Sequence, residues 1–216
     1  SLIANKWFNK DERSHIEQHL TSIMGVDLQT GKMKHDGPVG IMPRDFIVRI
    51  VAEFVCKNAQ NIDDNDVEKL FKNVDQYSSK NMSKFLKILP NVEELLIGLK
   101  NCNVQSLIVS TDITSRAQIA MKTLKLDNFF FRIIGGDLAK KTKPEPDLAL
   151  LALNELGFEP KNVVMIGDHP VDIMMGMSVK FGLNIGVLTG LSSNTSVFDN
   201  LDCKVIDNLK HLNVRC

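Results

Sequence analysis

The sequence predicts an α/β fold, a parallel sheet with helices on both faces, preceded by an all-helical module. Three observations predict it. From about Pro90 onward, short apolar runs alternate with helix-period stretches, which is the signature of successive βαβ units. Before about Leu86 the apolar residues recur at helical spacing, with almost no period-two alternation. Gly167-Asp168 follows the apolar run Val163-Val164-Met165-Ile166, so a carboxylate stands at a strand's carboxyl end, where such sheets hold their ligands. The change of pattern near residues 86–90 divides the chain into a helical module, 1–86, and a sheet module, 87–216.

In the helical module, Ile16, Leu20, Ile23 and Met24 form one stripe, closed by Gly25 as a carboxyl-terminal cap. A clearer stripe, Phe46, Ile47, Ile50, Val51, Phe54 and Val55, follows Pro43. Asp63-Asp64-Asn65-Asp66 lacks the glycine and the terminal glutamate of a calcium loop, and reads as a capping run before Val67, Leu70 and Phe71. His15 and His19 are spaced to share a helix face, but no third ligand accompanies them, so they read as a solvated face. Trp7-Phe8 reads as packing, and Thr30 to Gly40, with Gly31 and Gly37, as a connector.

In the sheet module, Val92, Leu95, Leu96 and Leu99 form a helix face and Leu107-Ile108-Val109 a strand. A helix follows from Thr114 through Leu124, then the strand Phe131 to Ile134, then a helix from Asp147 to Leu156 stopped by Gly157. The Val163 to Ile166 strand, a further helix, Ile185 to Leu188 and Val205-Ile206 complete the alternation.

Polar residues gather at the strand ends. Pro170 suits a first helical turn, and Asp172 follows Asp168 by four residues, so the two carboxylates can share one place above the sheet. Two hard oxygen ligands there suggest Mg²⁺; the alternative is a strand end and an acidic residue complementing a helix amino terminus. Ser110-Thr111-Asp112 offers a hydroxyl and free backbone N–H groups as a phosphate cradle, or else an ordinary helix cap. Pro144 and Pro146 fix the backbone around Lys143, as is needed to hold a lysine toward an anion; the alternative is a solvated basic loop that includes Lys140 and Lys141. Hydroxyl, rigid lysine and paired carboxylates at successive strand ends form a much rarer set than any one of them.

Composition sets outer bounds. Lys+Arg and Asp+Glu balance at 26 each, so no global field draws the chain to nucleic acid or to an anionic membrane surface. No apolar run approaches the roughly 18 residues needed to span a bilayer, and Ser1 to Lys6 does not read as a secretory signal. Cys56, Cys102, Cys203 and Cys216 lie far apart without a Cys-x-x-Cys pair, which predicts reduced thiols and a cytoplasmic location. Nothing in the sequence sets an oligomeric state.

With these residues in place, the chain resembles the haloacid dehalogenase superfamily, in particular its phosphoglycolate phosphatase-like hydrolases with a helical cap. The resemblance runs from Leu89-Pro90-Asn91-Val92-Glu93-Glu94-Leu95-Leu96 to Val205-Ile206-Asp207-Asn208-Leu209, with Asn91 in place of the usual glycine and Met175 in place of the usual alanine. By likeness, Ser110 is the second motif's hydroxyl, Lys143 in Lys-Pro-Glu-Pro-Asp the third motif's lysine, and Asp168 with Asp172 the fourth motif's acid pair. Gly182 to Gly190 matches the following strand and glycine loop. The resemblance implies a haloacid dehalogenase-like Rossmannoid core with an α-helical cap over residues 1–86. It also implies Mg²⁺-dependent hydrolysis of a small phosphorylated metabolite through an aspartyl-phosphate. In that scheme Ser110 and Thr111 bind the phosphoryl group, Lys143 supplies positive charge, Asp168 is a direct metal ligand, and Asp172 acts behind it or through water. A sugar phosphomutase, a haloacid dehalogenase and a non-catalytic phosphate-binding protein are the rival readings. The family's opening Asp-x-Asp-x-Thr strand is absent, and Ser1-Leu2-Ile3 looks like the residues just after it. The expectation is therefore that this strand precedes Ser1 or is supplied separately.

Overall fold

The helical periodicity of the first part becomes α1 (Leu2–Trp7), α2 (Arg13–Met24), α3 (Arg44–Asn58) and α4 (Asp64–Lys80). The computed structural model describes residues 2–30, 32–192 and 194–216, and divides into two units, Ser1–Asn81 and Met82–Cys216. In the first unit the predicted stripes turn inward. Ile16 and Leu20 of α2 meet Val51, Ala52 and Val55 of α3 and Val67 of α4, with Ala4 and Phe8 beside them. Val51, Val55 and Val67 are completely buried, and each such aliphatic side chain contributes about 1.5–3 kcal/mol.

The polar readings of this unit are local. Asp63 caps α4, its carboxylate accepting the Asp66 amide at 2.9 Å. His15 and His19 are exposed, and His19 stacks on Phe54 with ring centroids 4.4 Å apart. Trp7 packs partly buried against the core that Phe8 joins. Of the connector predicted over 30–40, Gly31 lies outside the described residues.

The second unit alternates as predicted: α5 (Val92–Asn101), β1 (Leu107–Val109), α6 (Thr114–Leu124), β2 (Arg132–Ile134), α7 (Asp147–Leu156), β3 (Val164–Gly167), α8 (Pro170–Ser178), β4 (Leu183–Val187) and β5 (Lys204–Ile206). Asn91, which precedes α5, has φ 65°, a left-handed conformation that glycine takes freely and asparagine tolerates better than most residues. All strand pairs are parallel, with Val109 opposite Ile134 and Gly167 opposite Gly186. Packing of α7 on β1 and β2, and of α8 on β3 and β4, builds a core of Ile134, Leu148, Ala149, Ala152 and Met175.

Where one sheet is expected, the strands form two, β1–β2 and β3–β4–β5. Among the described residues β1 and β3 each keep one edge without a strand partner. Val164 and Ile166 of β3 remain 51% and 37% exposed, although a strand inside a parallel sheet is ordinarily covered on both faces.

The cysteine expectation is corrected for one pair. Cys102, at the end of α5, is bonded to Cys216 across 114 residues, with Cα atoms 5.1 Å apart. Spacing along the chain says nothing about two residues that the fold alone brings within bridging distance. Cys56 and Cys203 are free thiols.

Candidate active site

The centre of the site is built by the turn from β3 into α8. Gly167 ends the strand with no side chain, and a Cβ there would lie 2.2 Å from the Cβ of Asp172, so the Asp172 side chain folds down against the strand end. His169 caps α8: its Nδ1 accepts the Val171 amide at 3.3 Å, while its own amide donates to Asp172 Oδ2 at 3.1 Å. Asp172 Oδ1 accepts from Lys143 Nζ at 2.6 Å, and the same ammonium donates to the Val109 carbonyl at 2.7 Å. Lys143 thus joins the end of β1 to the start of α8.

The ion pair is dry, with side chains 9% and 8% exposed. Lys140 and Lys141, three and two residues earlier, are exposed. Lys143 is thus buried and fixed by Asp172 and the Val109 carbonyl, whereas Lys140 and Lys141 are solvated.

Asp168 lies beyond β3, partly exposed, and is held from the loop after β4. The Leu191 amide donates to Asp168 Oδ2 at 2.7 Å, and a Cβ on Gly190 would lie 1.9 Å from that oxygen. One carboxylate oxygen is thus committed to the backbone.

At the end of β1 the free amides expected of a phosphate cradle are corrected. The Ser110 amide donates to the Ile134 carbonyl at 2.9 Å, continuing the β1–β2 pairing. The Asp112 amide closes a turn on Ser110 Oγ at 3.1 Å, and the Ile113 amide reaches Asp112 Oδ1 at 2.8 Å. Ser110 Oγ accepts there and keeps its own proton to donate. Thr111 stands beside it, partly exposed.

The contact between Thr114 and Asp137 was not among the sequence expectations. The Thr114 amide and hydroxyl both donate to Asp137 Oδ1, at 2.7 and 2.8 Å, and the Gly135 amide donates to Thr114 Oγ at 3.0 Å. These bonds fasten the loop after β1 to the loop after β2. The available signal was the Gly135-Gly136-Asp137 run, whose small residues let the two backbones approach.

The donor set suits a hard cation with a large share of water. Among the described residues no three His, Cys, Asp or Glu side chains converge, so a closed zinc site is not built. Both oxygens of Asp172 accept hydrogen bonds, from Lys143 and from the His169 amide, so of the two carboxylates Asp168 is the one that could hold a cation more directly. Mg²⁺ is commonly held by one or two carboxylates together with waters and substrate phosphates.

A profile of the haloacid dehalogenase-like hydrolases matches residues 44–184, well over half of the chain. The chain belongs to that family. Similar curated members of the family include a pyrophosphatase PpaX from Oceanobacillus iheyensis, 27% identical over 53% of this chain and 54% of its own length. A phosphoglycolate phosphatase from Haemophilus influenzae is 25% identical over 63% of this chain and 64% of its own length. The chain spans between half and two thirds of the length of these relatives. Among solved structures, a hydrolase from Pseudomonas syringae superposes with a TM-score of 0.65 at 22% identity, covering 91% of this chain and 90% of that one, which shows the shared fold.

Proposed function

We propose that this chain is the body of a phosphate monoester hydrolase acting on a small phosphorylated metabolite. The observation that carries the proposal is the buried Lys143 ammonium, held by Asp172 and the Val109 carbonyl at the rim of a parallel sheet. A desolvated cation fixed at strand ends is suited to phosphoryl oxygens and to the group that attacks phosphorus. The phosphatase relatives support the same reading.

The geometry supports the following roles. Ser110 Oγ, already accepting the Asp112 amide, donates its proton to a phosphoryl oxygen, with Thr111 beside it. Lys143 contributes charge without having to reorganise, because Asp172 and Val109 fix its position. Asp168 presents its Oδ1 to Mg²⁺, which when bound neutralises charge developing on the transferred phosphoryl group. No Asp-x-Asp-x-Thr run occurs in the given sequence, and among the described residues β1 and β3 each keep an edge without a strand partner, where a strand carrying the attacking carboxylate would pair. The helical module expected over residues 1–86 would be the cap that selects the substrate. A cytoplasmic location fits a metabolite substrate, and the Cys102–Cys216 bond is the one feature that counts against it.

The test is phosphate release from p-nitrophenyl phosphate, and then from a panel of phosphorylated metabolites, by the polypeptide that includes the nucleophile strand. Turnover should require Mg²⁺ and be lost in Asp168→Asn, because an amide cannot supply the carboxylate charge. Turnover that survives both chelation and Asp168→Asn would remove the reading. Conversion of one sugar phosphate isomer into another, without phosphate release, would replace it by a phosphomutase.

A further inference from the structure

The turn that follows β1 carries the Ser110 hydroxyl, and it is held from the loop after β2. The Val109–Ser110 peptide unit is fixed at both ends: its carbonyl accepts from Lys143 Nζ at 2.7 Å, and its N–H donates to the Ile134 carbonyl at 2.9 Å. Asp112 is fixed in the same way, its amide donating to Ser110 Oγ at 3.1 Å and its carbonyl accepting from the Gly136 amide at 2.9 Å. Thr114 closes the arrangement. Its amide and hydroxyl both donate to Asp137 Oδ1, at 2.7 and 2.8 Å, and its Oγ accepts the Gly135 amide at 3.0 Å. Backbone packing is a separate observation. A Cβ on Gly135 would lie 2.6 Å from the Asp112 carbonyl oxygen, and one on Gly136 2.8 Å from that of Thr111, so the two loops touch along their main chains.

We infer that Thr114 and Asp137 are positioning residues that fix the direction of the Ser110 hydroxyl toward the phosphoryl group. The inference rests on the reading of Ser110 as a donor to that group. A serine hydroxyl rotates to suit its partners, so its direction is defined by what holds its oxygen. Here that is the Asp112 amide, and Asp112 stays in place while its carbonyl keeps the Gly136 amide. The Thr114 to Asp137 contact presses Gly135 and Gly136 against that carbonyl; when it is lost the loops part, the Asp112 amide shifts and the hydroxyl turns away. A small displacement that begins far from the reacting atoms can cost up to about 100-fold in rate. The competing role is plain capping of α6, whose first residue is Thr114. Loss of a cap alone lowers stability and leaves turnover per folded molecule as it was.

The experiment measures kcat and KM for p-nitrophenyl phosphate in the polypeptide that includes the nucleophile strand. Thr114→Val keeps the side chain's shape and removes its hydroxyl, and kcat should fall about 10- to 100-fold with KM little changed. Thr114→Ser, which restores the hydroxyl, should recover most of the loss. In a Ser110→Ala background Thr114→Val should cost nothing further, because residues of one hydrogen-bond network are not additive. If Ser110→Ala leaves kcat unchanged, or the unaltered polypeptide has no turnover, the donor reading of Ser110 fails and the inference with it. If Ser110→Ala lowers kcat while folded Thr114→Val matches the unaltered enzyme, or if the two losses multiply, the positioning role alone fails. Should Thr114→Val not fold, Asp137→Ala, made at an exposed side chain, takes its place in the same cycle. Hydrogen exchange on the 216-residue chain supplies a second readout: the Asp112 and Gly136 amides should be protected and should exchange about tenfold faster or more in Asp137→Ala. Amides unprotected in the unaltered chain, or equally protected in both, overturn the positioning role.

Discussion

Replacing Lys143 by alanine tests the best-defined interaction in the second unit. The ammonium makes a 2.6 Å contact to Asp172 Oδ1 and a 2.7 Å contact to the Val109 carbonyl, with both charged side chains below a tenth exposed. Removing it leaves Asp172 buried with the His169 amide bond at 3.1 Å, and strips a carbonyl at the open edge of β1. Removing one partner of a buried ion pair typically costs about 3–5 kcal/mol, because the surviving charge stays desolvated. With a urea dependence of about 1–3 kcal/mol per molar, the midpoint should fall by about 2 M. Urea unfolding followed by far-ultraviolet circular dichroism measures this, with Lys140→Ala as the control, an exposed lysine whose loss should matter by no more than about 0.5 kcal/mol. The double replacement Lys143→Met, Asp172→Leu should be less damaging than Lys143→Ala, since it removes the stranded charge. If Lys143→Ala unfolds within about 0.5 kcal/mol of Lys140→Ala, the pair is not the buried bridge described and the dry-cation argument fails with it.

Two further predictions test the interior and the thiols. Ser192 is 1% exposed and its hydroxyl has no hydrogen-bond partner among the described residues, so Ser192→Ala should raise stability by about 1 kcal/mol in the same urea assay; a loss would show that the hydroxyl is satisfied. Thiol titration of the unreduced, denatured chain should count the two free cysteines, Cys56 and Cys203, where four would contradict the bridge. Burial raises both free thiols above their ordinary range, and Asp64 beside Cys56 and Asp202 near Cys203 add to it. A raised thiol pKa means less thiolate at neutral pH, so native-state alkylation should be slower than for free cysteine and should quicken as pH rises through the raised value; a fast reaction at pH 7 would contradict these surroundings.

What the sequence disclosed depended on how local the cause was. The α3 stripe was legible because one helix face must be apolar wherever a core lies, and Ile47, Val51 and Val55 of that stripe are buried, together with Ala52. Asp63 and Gly25 were legible because capping is decided within a few residues, and Gly25 has the expected left-handed φ of 74°. Strand and helix alternation located β1, β2 and β3 to within a residue or so, since each is a short apolar run between turn signals. The site was legible as a set of residue types at strand ends, but the partners within it were not. That Lys143 takes both Asp172 and Val109, or that Leu191 serves Asp168 from 23 residues away, is fixed by how the loops meet. The split of the sheet, the Cys102–Cys216 bond and the Thr114 to Asp137 contact are likewise products of tertiary approach, which no local pattern encodes.

The bond between Cys102 and Cys216 turns most of the second unit into a covalent ring, and β1 through β5 all lie on it. In the chain-entropy account, closing a loop of about 100 residues removes some 4.7 kcal/mol of freedom from the unfolded state. Its more particular effect concerns strands that lie in two separate sheets. The two sheets are joined along the backbone through residues 135–163, and the ring returns from β5 to the end of α5 just before β1, so each sheet is tethered to the other at both ends. A single cut in an exposed loop between them would leave one molecule, with both halves still at hand to re-pair, until the sulfur bridge was reduced.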